Sequence, residues 1–539
     1  MLSPLRITVA LTAPLNDTRL DPRKHTLLSN MKSSLSIALV LFAAIAAHAA
    51  APSGKPLPRS PPEKQGVSSA AIRSFIETAD RQVNEMHSFM LVRHGFVIAE
   101  GWWTPYSSAT PHPLFSLSKS FTSTAVGLAV AEGKLNIDDE VLKFFPEEAP
   151  AEPSSNLKAM RVRDLLCMSA GHQVEVKLAV TNEWTWTKSF LTHPVPHKPG
   201  GHFLYNTPGT YMQSAIVQKV TGQTVLDFLR SRLFEPLGIE NPIWSTSPQG
   251  ISLGGYGLNI RTEDIAKFGQ LYLQKGMWHG KQLVPASWVK TATGRQTSNG
   301  SNPKSDWEQG YGFQFWRSRH GAYRGDDAFG QYSIVMPEQD AVISITSGTR
   351  DMQGVLNLIW EKLLPAMEKA SLPANKAEES NLKETLVGLS MHHPQGASSS
   401  AVVAKFSSKK FVFPANEQKL EAIKLDADSS GRVTNVSMRM GGVEQRVECG
   451  HGKWPLGRMA YGAFTNQPVA ASGSWTADDT YSLKLCFYET TTSITATLKF
   501  AGDHLLYDAE PNVAFGWSKQ PQIVGVLSAV DFGLGHEGD

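Results

Sequence analysis

The hydrophobic pattern of this chain changes period partway along its length, and that change constrains the fold more than any single motif. Up to about residue 370, segments with apolar positions at helical spacing alternate with short β-rich runs. Beyond residue 400 the runs are short, alternating or β-branched, and punctuated by Gly, Asp and Asn. At 539 residues the chain exceeds what one core serves, so two structured units are expected. We place a mixed α/β (α+β) unit at residues 67–370, a polar Ala-, Ser-, Glu- and Lys-rich linker at 371–400, and a small all-β barrel or sandwich at 401–539.

In the first unit, Ala70 to Met86 reads as a helix, and Phe89 to Val92 with Val97 to Trp103 reads as a hairpin around His94-Gly95. Helices follow at Val162 to Met168, Tyr211 to Val220, Val225 to Leu233, Thr262 to Gln274 and Met352 to Met367. A late hairpin joins Tyr332 to Met336 with Ala341 to Ile345. Early and late strands around a helical block imply one antiparallel sheet assembled from both ends of the unit, with helices packed on its faces.

Ahead of this unit, Lys32 precedes the apolar stretch Leu35 to Ala47, and Ala47-His48-Ala49 has the small-x-small form of a cleavage site. We expect a signal peptide at 31–49, a true start at Met31 with residues 1–30 lying before it, and a Pro-rich leader at 50–66 that does not pack. The apolar run is shorter than the ~20 residues a membrane span needs, so no integral span is expected after cleavage. The expected location is the periplasm or outside the cell. Of the three cysteines, Cys167 reads as core, while Cys449 and Cys486 either pair or stay as two buried thiols. Lys plus Arg number 51 against 49 Asp plus Glu, without a long basic run, so nucleic acid is not an expected partner.

The chemistry centres on Ser116-Leu117-Ser118-Lys119, at a strand-to-helix junction. A serine hydroxyl needs a base and a pocket for the oxyanion it creates. Three residues is nearly one helical turn, so Lys119 lies on the face of Ser116 and within reach of it. Burial under neighbours such as Leu114 and Phe115 lowers a lysine pKa towards that of a working base. In the setting Leu114-Phe115-Ser116-Leu117-Ser118-Lys119-Ser120-Phe121, the chain resembles the penicillin-recognising serine hydrolases. These are the class C β-lactamase, DD-peptidase and family VIII esterase group, with the 6-aminohexanoate-dimer hydrolases among its relatives. The resemblance spans roughly Val67 to Met367. It implies a β-lactamase/transpeptidase-like fold with a helical subdomain, followed by the small all-β domain.

It also implies a tyrosine that shares the serine proton. Tyr205, in Lys198-Pro199-Gly200-Gly201-His202-Phe203-Leu204-Tyr205-Asn206-Thr207, falls in that position. Asn206 stands one place earlier than the asparagine of Tyr-x-Asn, and is carried as a substrate-binding candidate. The family's Lys-Thr-Gly strand corresponds to Tyr323-Arg324-Gly325, with neither lysine nor threonine. The implied oxyanion hole uses the backbone N–H groups of Ser116 and Asp326, with Arg324 and Gly325 as substrate contacts. Loss of the Lys-Thr pair favours an esterase or amidase. Other family-like stretches, Gly254-Gly255-Tyr256-Gly257-Leu258 among them, read as architectural.

Gly250-Ile251-Ser252-Leu253-Gly254 matches the Gly-x-Ser-x-Gly elbow, but no helix follows it directly, so Ser252 reads as a loop residue. His392-His393 and the scattered histidines lack metal-ligand spacing, so neither metal nor cofactor is expected. Trp102, Trp103, Trp184 and Trp186 fit either a substrate cleft or a core. The expected activity is an exported serine hydrolase acting on a small acyl substrate, an ester, amide or β-lactam. Alternatives are a β-lactamase or D-alanyl-D-alanine carboxypeptidase proper, and a penicillin or muropeptide sensor whose β module associates with the cell envelope.

Overall fold

A computed structural model describes residues 55–178, 185–462, 464–516 and 519–528. The expected start, the signal peptide, the first residues of the Pro-rich leader and Trp184 lie outside them.

Helix α1 (Ser69–Gln82) leads into β1 (Met86–Arg93) and β2 (Phe96–Trp102). These strands turn through His94 and Gly95, both left-handed at φ 50° and 80°, a geometry that matches strand twist in a two-residue hairpin. Strands β3 (Trp316–Arg317), β4 (Tyr323–Asp327), β5 (Gln331–Met336) and β6 (Ala341–Ser347) complete a six-stranded sheet ordered β2-β1-β6-β5-β4-β3. Every pairing in it is antiparallel.

Alternation along the strands feeds two cores. Met90, Val92, Val335 and Val342 face a helical block holding α2 (Ser118–Ala131), α3 (Thr207–Thr221) and α4 (Thr262–Leu273). Phe89, Leu91, Ile334, Ile343 and Ile345 face α1 and α5 (Met352–Leu358). Gly269 lets α4 close onto the sheet, since a Cβ there would lie 2.6 Å from Val342 Cγ1. The stretch expected as one long helix from Met352 to Met367 is regular only to Leu358 and then continues as a wider and a tighter turn.

Two stretches read as unpacked are part of this domain. Leu57 is buried, Arg59 pairs with Glu100 and Glu263, and Ser60 N–H donates to the Val97 carbonyl, so the end of the Pro-rich leader runs beside β2. The polar segment at 371–400 carries α6 (Lys376–Val387), which packs on α1 and β2. Its single buried apolar position, Leu382, joins Leu389 and Met391 in the core, and an apolar pattern that sparse does not announce a helix.

Beyond it, ten strands form one antiparallel sheet: β7 (Lys410–Val412), β8 (Leu420–Ala427), β9 (Val433–Met440), β10 (Val443–Glu448), β11 (Leu456–Tyr461), β12 (Phe464–Ala477), β13 (Thr480–Cys486), β14 (Ser493–Ala501), β15 (His504–Pro511) and β16 (Ile523–Leu527). The end strands β10 and β11 approach each other, curling the sheet into a near-barrel around its own core.

The near-barrel is seated on the first domain. Trp454, Ala470 and Cys486 belong to the core under the six-stranded sheet, Tyr106 Oη donates to the Thr490 carbonyl, and Lys484 pairs with Glu85 at 2.7 Å. Cys167, Cys449 and Cys486 are all free and buried, so the two C-terminal thiols do not pair. No described helix is long and apolar enough to cross a membrane.

Candidate active site

Ser116 lies in a tight turn, Phe115–Leu117, that runs directly into α2. Residues Ser118 to Ala129 are all buried, so this helix is wrapped on every side. Most of its hydroxyls survive there by reaching a partner: Ser120 donates to the Gln314 carbonyl at 2.8 Å, and Thr122 to the Gly254 carbonyl at 2.8 Å, while Ser123 Oγ is buried without one among the described residues. A buried helix with fixed neighbours holds Ser116 and Lys119 in one geometry.

Lys119 is 1% exposed. Its Nζ is hydrogen-bonded to Ser116 Oγ and donates to the Gly255 carbonyl at 2.9 Å and to Thr207 Oγ1 at 3.3 Å. All three partners can accept from the three N–H groups of the charged amine; on losing one proton the amine keeps two donors and has a lone pair for the Ser116 hydroxyl. Burial lowers its pKa to about 8, against the pull of Asp327 and Glu175.

Tyr205 lies close enough to Ser116 for the two side chains to interact. Its ring stacks on Trp316 with centroids 5.3 Å apart and stands 4.9 Å from Lys119 Nζ. Burial, then Tyr311 and Asp327, holds the phenol well above its ordinary pKa, so it stays protonated where Lys119 begins to lose its proton.

The structure therefore brings Ser116, Lys119 and Tyr205 together and parts them from three other expected residues. Asn206 is buried away from Ser116, with Nδ2 donating to His172 and Oδ1 accepting from Val176 N–H, both at 3.3 Å. Thr207, two places after the tyrosine, reaches Lys119 in its stead. Arg324 is fully buried on the opposite face of β4, paired with Asp326 at 2.7 Å and lying over the Trp307 ring. Gly325 packs behind the nucleophile turn, where a Cβ would lie 2.7 Å from Ser120 Oγ, so it serves close approach rather than substrate contact.

Strand alternation explains the switch of faces. Residues 325 and 327 share one face, 324 and 326 the other, so Asp327 is the side chain of β4 that arrives at Ser116. Its carboxylate accepts the Ser116 N–H, and burial raises its pKa, with Lys119 opposing.

Glu175 accepts the Thr207 N–H at 3.1 Å, and Gly255 belongs to the loop read from sequence as architectural. A Cβ at 255 would lie 2.6 Å from Thr207 Cγ2. Thr207 was recoverable from its spacing to Tyr205; Glu175 and Gly255 carry no local signal.

Ser252 is buried, its Oγ has no hydrogen-bond partner among the described residues, and its carbonyl accepts from Ser214 Oγ at 2.7 Å. Trp103 is core and donates to Asp80, Trp186 packs on Tyr211, and Trp102 lies at the β2 edge. His393 stacks on Trp454.

A family model described as Beta-lactamase matches residues 74–360, more than half of the chain. The 6-aminohexanoate-dimer hydrolase of Paenarthrobacter ureafaciens is 24% identical over 277 residues, covering 48% of this chain and 71% of that protein. Protein flp of Staphylococcus aureus (strain N315) is 27% identical over 137 residues, 24% of this chain and 27% of that protein. Among solved structures, a penicillin-binding protein homologue from Caulobacter crescentus matches with a TM-score of 0.47 and 18% identity, covering 55% of this chain and 97% of that one.

Proposed function

Because the chain belongs to the beta-lactamase family of serine hydrolases, we propose that it cleaves an ester or amide through an acyl-enzyme on Ser116, with Lys119 as general base and Tyr205 as proton relay. The observation that carries this reading is the hydrogen bond between Ser116 Oγ and a buried lysine whose pKa is lowered to about 8. Neutral Lys119 takes the hydroxyl proton as Oγ bonds to the substrate carbonyl carbon. The phenol of Tyr205 gives its proton to the departing oxygen or nitrogen and is reprotonated from Lys119. Water, activated by the same pair, then attacks the ester on Ser116, releases the acid and restores the serine.

The carbonyl oxygen takes its negative charge against the N–H groups of Ser116 and Asp326. To do so it must displace the Asp327 carboxylate from the Ser116 N–H. The same carboxylate disfavours substrates with a carboxylate beside the scissile bond, and Arg324 faces away. An uncharged ester or amide fits this site better than a β-lactam. The test is incubation of the protein with an activated ester and a fluorescent penicillin, beside Ser116→Ala. Ester turnover that vanishes in the variant, with slow or no penicillin labelling, is expected; turnover unchanged in Ser116→Ala would sink the assignment.

A further inference from the structure

Three phenylalanines from three separate segments meet beside the nucleophile, and the third comes from the C-terminal domain. Phe115 immediately precedes Ser116. Phe329 follows Asp327 by two residues in the turn between β4 and β5, and Phe515 lies in the loop after β15. Ring centroids are 5.7 Å apart for Phe115 and Phe329, 5.9 Å for Phe115 and Phe515, and 4.8 Å for Phe329 and Phe515, all tilted or edge-on. Those are the spacings at which aromatic pairs attract.

None of the three belongs to a buried core; Phe115 and Phe329 are half-buried and Phe515 is 53% exposed. Phe115 and Phe329 both hold left-handed backbone, φ 44° and 66°, which is unfavourable for a bulky side chain. Strain of this kind persists where the surroundings enforce it, and it clusters at sites that handle a ligand. Here it turns two rings out of the core and towards the residue beside which a substrate carbonyl must lie.

The chemistry of the site says which part of the substrate goes there. Tyr205 donates to the leaving group, so the leaving group lies on the flank of Tyr205 and Trp316. Ser116 Oγ is hydrogen-bonded to Lys119, which stands 4.9 Å from the Tyr205 ring, whereas the Ser116 N–H points to Asp327, two residues before Phe329. Resting on the assignment of Ser116 as nucleophile, we propose that Phe115, Phe329 and Phe515 form the acyl subsite, that it takes an alkyl or aryl acyl chain, and that the C-terminal near-barrel completes it through Phe515. The near-barrel is then part of the active site rather than an appended module. Its position is held by Asn512, three residues before Phe515, whose Nδ2 donates to Glu85 Oε2 at 2.6 Å and to the Gly348 carbonyl at 3.1 Å.

The experiment compares kcat/KM for p-nitrophenyl octanoate and p-nitrophenyl acetate in the full chain, in Phe515→Ala and in Phe515→Leu. The full chain prefers the octanoate. The octanoate-to-acetate ratio falls about ten-fold in Phe515→Ala and recovers most of the way in Phe515→Leu, since an apolar side chain at that point suffices. A full chain without preference, or a ratio within two-fold of the full chain's in Phe515→Ala, overturns the proposal. So does a variant whose selectivity changes only when the leaving group is varied. Ser116→Ala on both esters tests the underlying assignment separately: turnover retained there fails the nucleophile, whatever Phe515 does.

Discussion

The side-chain carboxylate of Asp327 accepts the backbone N–H of Ser116, the same N–H that an acyl-transfer oxyanion needs. A resting site whose donor is engaged by an anion must release it before the carbonyl can polarise. Asp327→Ala removes that competitor and also removes a charge that raises the Lys119 pKa. We expect kcat/KM for a neutral ester to rise on the order of ten-fold, a fraction of what one oxyanion donor is worth. The ascending limb of the pH profile should move to lower pH. A loss of activity with the limb unmoved would instead make Asp327 a required participant.

Lys119 sets that limb. Burial depresses its pKa to about 8, so below that pH it carries a proton and cannot accept one from Ser116. The profile of kcat/KM against pH should climb through about 8 and fall about ten-fold per unit well below it. Tyr205, held well above its ordinary pKa, keeps its proton throughout and adds no descending limb in the neutral range. Lys119→Ala should lower kcat by roughly a thousand-fold, within the usual range for a positioned general base. A profile flat between pH 6 and 9 would remove Lys119 from the role.

Thr207 and Asn206 are neighbours with opposite duties. Thr207 Oγ1 accepts from Lys119, whereas the Asn206 side chain ties His172 to Val176 in the core. Thr207→Val should cost roughly three- to ten-fold in kcat, with thermal stability nearly kept, since one weak hydrogen bond to the base is lost. Asn206→Ala should cost about 1–3 kcal/mol of stability by leaving the Val176 N–H unpaired. Melting temperatures and steady-state kinetics on both variants separate the duties; the reverse pattern would restore Asn206 to the substrate.

What could be read from the chain follows from which signals are local. Ser116 and Lys119 sit three residues apart at a strand-to-helix junction, and the family resemblance those residues carry points to Tyr205, just ahead of α3 and after Pro199-Gly200. The two-domain division shows in the change of hydrophobic period. The third motif was misjudged because its sense depends on strand register: with Gly325 packed against the nucleophile turn, alternation sends Arg324 behind the sheet and Asp327 to the front. Gly255 reaches Lys119, and Glu175 reaches Thr207, from loops distant in sequence, where no periodicity exists to read. Helix α6 went unread because only Leu382 and Leu386, one turn apart in an otherwise polar stretch, pack against the core. The seating of the near-barrel depends on single polar residues such as Lys484 and Asn512, which look like ordinary surface positions in an alternating strand or a loop.

That seating is itself measurable. Glu85 follows α1 and Lys484 lies on β13, yet they pair at 2.7 Å with side chains only 6% and 11% exposed. Glu85 also accepts from Ser493 Oγ and from Asn512 Nδ2, each at 2.6 Å, so one carboxylate holds three groups of the C-terminal domain. Removing one member of a buried pair strands the other, at a cost of about 3–5 kcal/mol. Lys484→Met should therefore lower the melting temperature by several degrees. Glu85→Gln combined with Lys484→Met should recover part of that loss, because no unpaired charge remains. A double-mutant cycle read by thermal unfolding gives the coupling directly. If the near-barrel is integral to the catalytic domain, Lys484→Met should also shift octanoate-to-acetate selectivity, because Asn512 and Phe515 share the loop that Glu85 anchors. A stability loss with selectivity intact would show that Phe515 keeps its place without this ion pair, and that other contacts, such as Tyr106 with Thr490, hold the two domains in register.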